Sequence, residues 1–294
     1  MVRIYNVDKM ASTGEPVKTD DVDSPAILAV SNQKGGVGKT TIAVNVAGAL
    51  NQRGRDVLLI DLDPQGNATE GLGFTKAYDA QPPSLFDVLT NTEQRGAITE
   101  IVQEHAEMDV VPSNVDHHHT EREMTHVRRP TEQLSLALGE LEEQYDYVLI
   151  DCPPSLGHLT DNALFAARNL LIPALAEGTS KRAVELLFDH VTTIERDFDI
   201  SIRECALVAN RVEETNEAAD MLEWFDRAFD DTPRFEVRKR VALQRAHSAG
   251  VSLFEYDSTV DMCDVFLAVA RALDEQFGLP PAENAAMQEV SRDE

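Results

Sequence analysis

The sequence is poor in cysteine and has no long apolar run. Its three cysteines, Cys152, Cys205 and Cys263, lie far apart and form no Cys-x-x-Cys pair, which argues against a disulfide framework and against a zinc or iron–sulfur site. No apolar run approaches the roughly 20 residues of a membrane-spanning helix. Residues 1–24 lack the apolar core of a signal peptide. These absences predict a cytoplasmic protein with inert, buried thiols.

Basic residues are also scarce. The chain has 52 acidic against 26 basic residues and a net charge of −26, a balance that ordinarily argues against a nucleic-acid partner. Only 7 of the basic residues are lysine and 19 are arginine. A dense acidic surface with little lysine favours a halophilic protein, kept hydrated and dispersed in a salt-rich cytoplasm. Local basic clusters are therefore a better guide to partners than the net charge.

Short apolar runs alternate with amphipathic stretches from residue 26 onward, which predicts a parallel sheet covered by helices. The predicted strands are 26–30, 57–60, 108–111, 147–150, 170–173 and 206–209. The predicted helices are 40–52, 131–143, 160–167, 180–196, 215–229 and 260–277. We predict an α/β fold, with a single doubly wound domain of mostly parallel strands over 25–278. A flexible extension over 1–24 and a disordered acidic tail over 279–294 are expected to flank it.

Residues 34–41 read Lys-Gly-Gly-Val-Gly-Lys-Thr-Thr and lie between a predicted strand and a predicted helix. This is the setting of a phosphate-binding P-loop, whose glycines let backbone N–H groups face phosphate oxygens. Lys39 is expected to reach the β- and γ-phosphates, and the Thr40 hydroxyl to bind Mg²⁺. The pattern predicts a protein that binds ATP and Mg²⁺. The predicted nucleotide-binding residues are Lys34, Gly35, Gly36, Val37, Gly38, Lys39, Thr40 and Thr41.

The loop departs from the usual P-loop pattern, since Gln33 stands where a glycine is usual and an extra lysine, Lys34, follows it. In this form it resembles the deviant Walker A motif of the ParA/MinD-type ATPases. The resemblance implies a P-loop NTPase fold and a homodimer that sandwiches ATP, with Lys34 reaching the phosphates held by the partner chain. A cation supplied in trans stabilises charge on the transferred phosphoryl group, as an arginine finger does.

Two aspartate motifs follow other predicted strands, where open α/β sheets bind ligands. Residues 61–69 read Asp-Leu-Asp-Pro-Gln-Gly-Asn-Ala-Thr, and residues 151–157 read Asp-Cys-Pro-Pro-Ser-Leu-Gly. Both resemble the ParA/Soj partition branch. The resemblance implies three residues at the magnesium site, namely Thr40, Asp61 and Asp151, the last acting through water. It also implies three catalytic residues, namely Lys34, Lys39 and Asp63, the last polarising the attacking water.

The C-terminal third carries a basic cluster in an otherwise acidic chain. Partition ATPases bind DNA non-specifically through basic residues in this region, and the resemblance implies DNA contacts by Arg238, Lys239, Arg240 and Arg245. A solvated helix face or internal ion pairs would produce the same cluster. The resemblance further implies adenine contacts by Asn210 and Arg211. An Ile-Pro-Arg-like turn that usually packs on the nucleotide is replaced here by residues 236–239, so the adenine contacts stay open.

The sequence therefore predicts a slow, partner-stimulated ATPase that dimerises with ATP and binds DNA non-specifically. With a ParB-like or other activating partner it would segregate a plasmid, a chromosome region or another cargo, as a cytoplasmic protein that joins the nucleoid when ATP-bound. One alternative is a nucleotide-switched regulatory or scaffold protein without DNA binding. A MinD-like membrane ATPase is disfavoured because an anionic leaflet repels the acidic C-terminal residues. The run His117-His118-His119 is predicted to lie on a surface helix or loop.

Overall fold

The computed structural model describes residues 24–142 and 144–279. The predicted N-terminal extension and acidic tail lie outside the described residues, apart from Ser24 and Leu279.

Seven strands form a single sheet in which every neighbouring pair is parallel, as the sequence pattern predicted. In chain order they are β1 (Ala26–Val30), β2 (Val57–Asp61), β3 (Asp109–Val111), β4 (Tyr147–Asp151), β5 (Asn169–Leu175), β6 (Arg203–Val212) and β7 (Arg234–Arg238). Their spatial order is β3-β2-β4-β1-β5-β6-β7. The central strands are buried on both faces, because a separate apolar layer packs against each face.

Helices and short helical turns connect the strands and cover both faces. They are α1 (Lys39–Gln52), α2 (Asn67–Gly71), α3 (Thr75–Tyr78), α4 (Leu85–Thr90), α5 (Ile98–Ile101), α6 (Thr120–Glu123), α7 (Gln133–Leu138), α8 (His158–Ala167), α9 (Ser180–Phe198), α10 (Asn216–Ala228), α11 (Val241–Ala249), α12 (Leu253–Asp257) and α13 (Met262–Phe277). Short 3-10 turns occupy Arg95–Ala97, Val115–His119, Met124–His126 and Pro130–Glu132. None of the helices in the described ranges is long and apolar enough to cross a membrane.

Several elements differ from the sequence-based prediction, which also missed the short helices α2 to α6 and α12. Strand β7 was not predicted, because it lies at the edge of the sheet and its sequence Arg-Phe-Glu-Val-Arg buries only Val237 fully. Helix α11 was also missed, since its first residue, Val241, is exposed and only Leu243 and Ala246 are buried. The predicted helix over 131–143 is shorter than expected, because a 3-10 turn precedes α7 and Gly139 ends it.

The register of the sheet determines where the aspartate motifs meet. Asp61 at the end of β2 is paired with Asp151 at the end of β4, and Asp151 is also paired with Val30 at the end of β1. The loop that follows β1 leads directly into α1. The P-loop and both aspartate motifs therefore lie at one edge of the sheet, where parallel strands end.

A buried ion-pair cluster lies at the opposite edge of the sheet. Asp274 of α13 is 2% exposed and accepts hydrogen bonds from Arg53 Nε at 2.7 Å, Arg55 Nε at 3.0 Å and the Tyr147 hydroxyl at 3.0 Å. The cluster joins α13 to the end of α1 and to the beginnings of β2 and β4. Because Asp274 accepts a hydrogen bond from the poorly exposed Arg53, its removal takes away the counterion of this buried guanidinium.

We predict that Asp274→Ala lowers the free energy of unfolding by about 3–5 kcal/mol, the cost of breaking a buried ion pair by removing one partner. Urea unfolding followed by circular dichroism measures the change. The matched control is Asp264→Ala, which removes an exposed carboxylate from the same helix and should cost much less. Equal losses in the two variants would show that the cluster contributes nothing specific to stability.

Candidate functional site

The predicted phosphate loop runs from the end of β1 to the start of α1 and is fixed from β6. Asn210 donates from Nδ2 to the Val37 carbonyl at 2.8 Å. Gly38 has φ of 90°, and a Cβ at this position would overlap the Asn210 amide group. Apart from the adjoining residues, no atom of the described chain lies within 4 Å of where a side chain at Gly35 or Gly36 would begin. The loop is thus held firmly on its inner side, while its tip faces open space.

Three carboxylates and one lysine are buried beside this loop. Asp61 and Asp151 are fully buried, and Asp63 and Lys39 are each 7% exposed. Burial, with repulsion from the neighbouring Asp63, raises the pKa of Asp61 to about 7. Burial and repulsion from Asp61 raise the pKa of Asp151, although the Thr40 hydroxyl and Lys39 oppose that rise. The site has more buried negative charge than Lys39 can balance, so a bound cation would be stabilised here.

The carboxylates differ in how their oxygens are used. Asp61 accepts hydrogen bonds from the Thr69 backbone N–H at 2.7 Å and the Thr69 hydroxyl at 2.6 Å through Oδ2, and from the Asp63 N–H at 3.3 Å through Oδ1. Asp151 Oδ2 accepts from the Thr40 hydroxyl at 2.6 Å, whereas its buried Oδ1 has no partner among the described residues. Asp61 therefore orders the turn that follows β2, and Asp151 keeps an oxygen available.

These oxygens fit the requirements of Mg²⁺. The described part of the chain contains no group of three or more His, Cys, Asp or Glu side chains arranged around a metal position. Mg²⁺ does not need such a cage, because it usually takes one or two protein oxygens and completes its shell with water and substrate phosphates. The unpartnered oxygen of Asp151 and the adjacent Thr40 hydroxyl form such a pair. When bound there, the ion would neutralise part of the buried carboxylate charge and polarise phosphate oxygens.

Asp63 lies at the start of a tight turn. Its Oδ1 accepts from the Gln65 N–H at 3.0 Å, and its carbonyl accepts from the Gly66 N–H at 2.9 Å. Gly66 has φ of 65° and precedes α2. The turn places a nearly buried carboxylate close enough to Asp61 and Asp151 to raise the pKa of both carboxyl groups.

Lys34 is held by a different part of the chain. Its Nζ donates to the Thr179 hydroxyl at 2.6 Å and to Glu177 Oε2 at 3.2 Å, both in the loop between β5 and α9. Its backbone N–H donates to Asn32 Oδ1 at 3.0 Å. Lys34 thus has an intrachain carboxylate partner, whereas Lys39 lies among the carboxylates that end β2 and β4.

A cleft of about 770 Å³ opens beside the loop. It is lined by Thr41, by both predicted adenine residues and by the basic segment 238–240. Both polar atoms of the Asn210 side chain are already engaged, since Oδ1 accepts from the Arg211 N–H at 2.9 Å. Asn210 therefore positions the loop, and the exposed Arg211 is the member of the pair that can reach a ligand in the cleft.

The predicted DNA contacts divide into paired and unpaired cations. Lys239 forms an ion pair with Glu213 at 2.9 Å, and Arg240 forms one with Asp261 at 3.0 Å between Nε and Oδ1. The alternative of internal ion pairs thus applies to these two side chains. Arg238 and Arg245 are exposed and have no ion pair within residues 24–142 and 144–279.

The prediction for the histidine run was wrong at His117. This side chain is fully buried; its Nε2–H donates to the Leu62 carbonyl at 3.2 Å, and its Nδ1 accepts from the Thr120 hydroxyl at 2.8 Å. Burial lowers the pKa of His117 to about 4. His118 and His119 are exposed, as predicted. Sequence reasoning missed this contact because a long-range bond to a backbone carbonyl leaves no pattern in nearby residues.

Comparison with known proteins places this arrangement in a family. The AAA domain family model matches residues 25–203. The chain is 33% identical over 249 residues to the sporulation initiation inhibitor protein Soj of Bacillus subtilis, a match that covers 83% of the chain and 96% of Soj. It is 34% identical over 251 residues to the chromosome partitioning protein ParA of Myxococcus xanthus, covering 84% and 87% of the two chains.

This chain belongs to the ParA/MinD-type P-loop ATPases. It is therefore an ATP hydrolase, as the motifs predicted. The fold of this ATPase is shared with solved structures. Apo McdA of Cyanothece superposes with a TM-score of 0.74 at 23% identity, covering 84% of the chain and 98% of McdA. Cobyrinic acid a,c-diamide synthase of Mycobacterium smegmatis, with a bound ATP analogue and magnesium, gives 0.69 at 27% identity and covers 85% and 94%.

Proposed function

We propose that this ParA/MinD-type ATPase is a partition protein of the cytoplasm that dimerises around ATP, binds DNA non-specifically and joins the nucleoid in that state. A ParB-like or other activating partner would stimulate hydrolysis and release, and so position a plasmid, a chromosome region or another cargo. The observation that carries the proposal is a P-loop that contains an extra lysine, Lys34, and that lies beside three buried carboxylates. The names of its relatives, Soj and the chromosome partitioning protein ParA, support it.

ATP binds with Mg²⁺ at the edge of the sheet where β1, β2 and β4 end. Backbone N–H groups of residues 35–41 would receive the phosphates, Lys39 would neutralise their charge, and Thr40 with Asp151 would hold the ion. Asp61 contributes indirectly, since its oxygens are bonded to Thr69 and Asp63. The adenosine moiety lies in the neighbouring cleft, where Arg211 is exposed and Asn210 braces the loop.

Asp63 orients and polarises the attacking water. It is nearly buried beside two other carboxylates, and its backbone is held in a turn, so its side chain is pre-organised. It makes no hydrogen bond to Lys39 or Thr40, the residues assigned to the phosphates and the ion. Its removal should therefore affect turnover more than nucleotide binding.

We predict that Asp63→Ala lowers kcat by about 10²- to 10⁴-fold, the usual contribution of a positioned general base, with ATP affinity nearly unchanged. Steady-state phosphate release and calorimetric titration with ATP measure the two quantities. The matched control is Asp79→Ala, which removes an exposed carboxylate 16 positions away in the sequence. Wild-type turnover in Asp63→Ala would assign the water-positioning role to another residue.

Lys34 acts in trans. In the single chain its ammonium group is bonded to Thr179 and Glu177, so it can exchange these partners for phosphate oxygens when a second chain covers the site. The exchange favours phosphate because the site supplies more negative charge than one carboxylate. Lys34 would thereby link dimer formation to hydrolysis.

We predict that Lys34→Ala leaves nucleotide binding by the single chain largely intact but lowers ATP-dependent dimerisation. It should also lower kcat by roughly 10²- to 10³-fold, the usual effect of removing one donor to a developing negative charge. Light scattering with ATP measures the dimer fraction. Lys181→Ala, which removes an exposed lysine of α9, is the control. Equal dimer fractions and full hydrolysis in Lys34→Ala would contradict the sandwich dimer.

DNA binding depends on the free cations of the basic segment, which here means residues 238–245. Arg238 and Arg245 have no intrachain ion pair in the described residues, whereas Lys239 and Arg240 do. Dimerisation doubles the number of cations offered to one duplex and so strengthens a weak, non-specific contact. The internal pairing of Lys239 and Arg240 favours the alternative, a nucleotide-switched regulatory or scaffold protein that does not bind DNA.

We predict that Asp63→Ala protein loaded with ATP retains DNA of any sequence, and that adding Arg238→Glu with Arg245→Glu weakens this binding at least about tenfold at 0.2 M KCl. Loss of two phosphate contacts should also reduce the salt dependence of the affinity, by about one unit of slope per contact. Arg196→Glu, an exposed charge reversal on α9, is the control. Absence of ATP-dependent DNA binding from 0.2 M to molar KCl would favour the regulatory function.

A further inference from the structure

Two side chains that are not assigned to the nucleotide site donate hydrogen bonds to the backbone of the Asp63 turn. The Tyr78 hydroxyl donates to the Pro64 carbonyl at 2.9 Å, and His117 donates to the Leu62 carbonyl at 3.2 Å. The two carbonyls belong to the residues on either side of Asp63. We propose that Tyr78 and His117 are positioning residues for ATP hydrolysis. They fix the turn and so keep the Asp63 carboxylate where it can orient the attacking water. The inference rests on the proposed role of Asp63.

The proton positions follow from the partners. A carbonyl oxygen can only accept, so the single proton of the Tyr78 hydroxyl points to Pro64. The ring of His118, with Nε2 at 3.2 Å from the Tyr78 oxygen, must then be the donor in that second contact. His117 must likewise carry its proton on Nε2, which leaves Nδ1 to accept from the Thr120 hydroxyl. Each of these hydrogen bonds thus has only one possible proton position. The Tyr78 hydroxyl donates to the Pro64 carbonyl, and His117 Nε2–H donates to the Leu62 carbonyl.

The Tyr78 ring also limits the shape of the turn. It lies so close to Gly66 that a Cβ there would overlap two of its ring carbons, and Gly66 has φ of 65°, a conformation that favours glycine. The Gly66 N–H donates to the Asp63 carbonyl at 2.9 Å. Ring packing against Gly66 and the hydroxyl bond to Pro64 therefore act on two residues of the same four-residue turn, 63–66.

Neither side chain is part of the phosphate or metal machinery. Among described residues, Tyr78 and His117 make no hydrogen bond to Lys39, Thr40 or Asp151. Their effect on catalysis must pass through the backbone of residues 62–66. Small displacements of a reacting group have large effects on rate and small effects on substrate binding. A looser turn should thus lower kcat without changing KM.

The test compares Tyr78→Phe with Tyr145→Phe. The first removes only the hydroxyl and keeps the ring against Gly66; the second removes a hydroxyl bonded to Asp109 Oδ2 at 2.9 Å, beside the start of β3. We expect Tyr78→Phe to lower kcat about 3- to 10-fold, the equivalent of one net hydrogen bond, with KM for ATP within twofold of wild type. In the absence of nucleotide, amide hydrogen exchange of Leu62, Asp63, Gln65 and Gly66 should accelerate by a similar factor. Tyr145→Phe should change neither quantity.

His117 provides a second measurement. His117→Leu removes the donor to the Leu62 carbonyl and leaves the Thr120 hydroxyl without its acceptor, whereas His117→Gln keeps an amide donor. His117→Gln should therefore retain more of kcat than His117→Leu. If His117→Leu does not fold, the tyrosine pair decides alone.

Unchanged kcat in Tyr78→Phe, with or without faster exchange, overturns the proposal, as does an equal loss in Tyr145→Phe. These outcomes are separable from failure of the proposed function. If Asp63→Ala keeps wild-type turnover, the role of Asp63 itself is wrong. If Asp63→Ala is inactive but Tyr78→Phe is fully active, Asp63 acts as proposed and only the positioning role of Tyr78 is wrong.

Discussion

The buried carboxylates at the ends of β2 and β4 are the constraint on which the site depends. Asp61 and Asp151 are paired in register, so their charges cannot move apart without breaking the sheet. Lys39 opposes the rise in the pKa of Asp151, yet the pKa values of both carboxyl groups rise. Every neighbouring feature reduces this cost: Thr69 bonds Asp61, Thr40 bonds one oxygen of Asp151, and the remaining oxygen is left for a cation.

How much the sequence could predict depends on the range of each interaction. The strands that carry the site are continuous apolar runs, and the loop and aspartate motifs are contiguous. The fold class and the position of the P-loop beside the aspartate motifs could therefore be predicted, whereas the bonds of Lys34 to Thr179 and Glu177 could not. The hydrogen bonds that fix the Asp63 turn could not be predicted, because Tyr78 and His117 lie 14 and 55 positions away from the residues they bond. Ion pairs such as Lys239–Glu213 also depend on folding, so the free and the neutralised cations of the basic segment are indistinguishable in the sequence.

Edge strand β7 links the two proposed activities physically. Its last residue, Arg238, lies both in the basic segment and on the wall of the cleft beside the P-loop. The next helix, α11, carries Arg245, and its His247 side chain lies where a Cβ of Gly71 in α2 would be. Helix α2 directly follows the Asp63 turn. The basic segment therefore lines the nucleotide cleft, and the helix that carries Arg245 packs against the element that follows the Asp63 turn. A rearrangement at either place would alter the surroundings of these cations directly.

Buried charge lies both where β2 and β4 begin and where they end, yet the two places differ in how this charge is balanced. At the edge where β2 and β4 begin, Asp274 has two arginines and a tyrosine hydroxyl, so the chain supplies every partner and the cluster stabilises the fold by itself. At the edge where they end, three carboxylates share one lysine, and Asp151 keeps an unpartnered oxygen among the described residues. A charge cluster complete within the chain needs no ligand. An incomplete charge cluster is stabilised by whatever supplies the missing cation. This difference distinguishes the structural cluster around Asp274 from the functional cluster where β2 and β4 end.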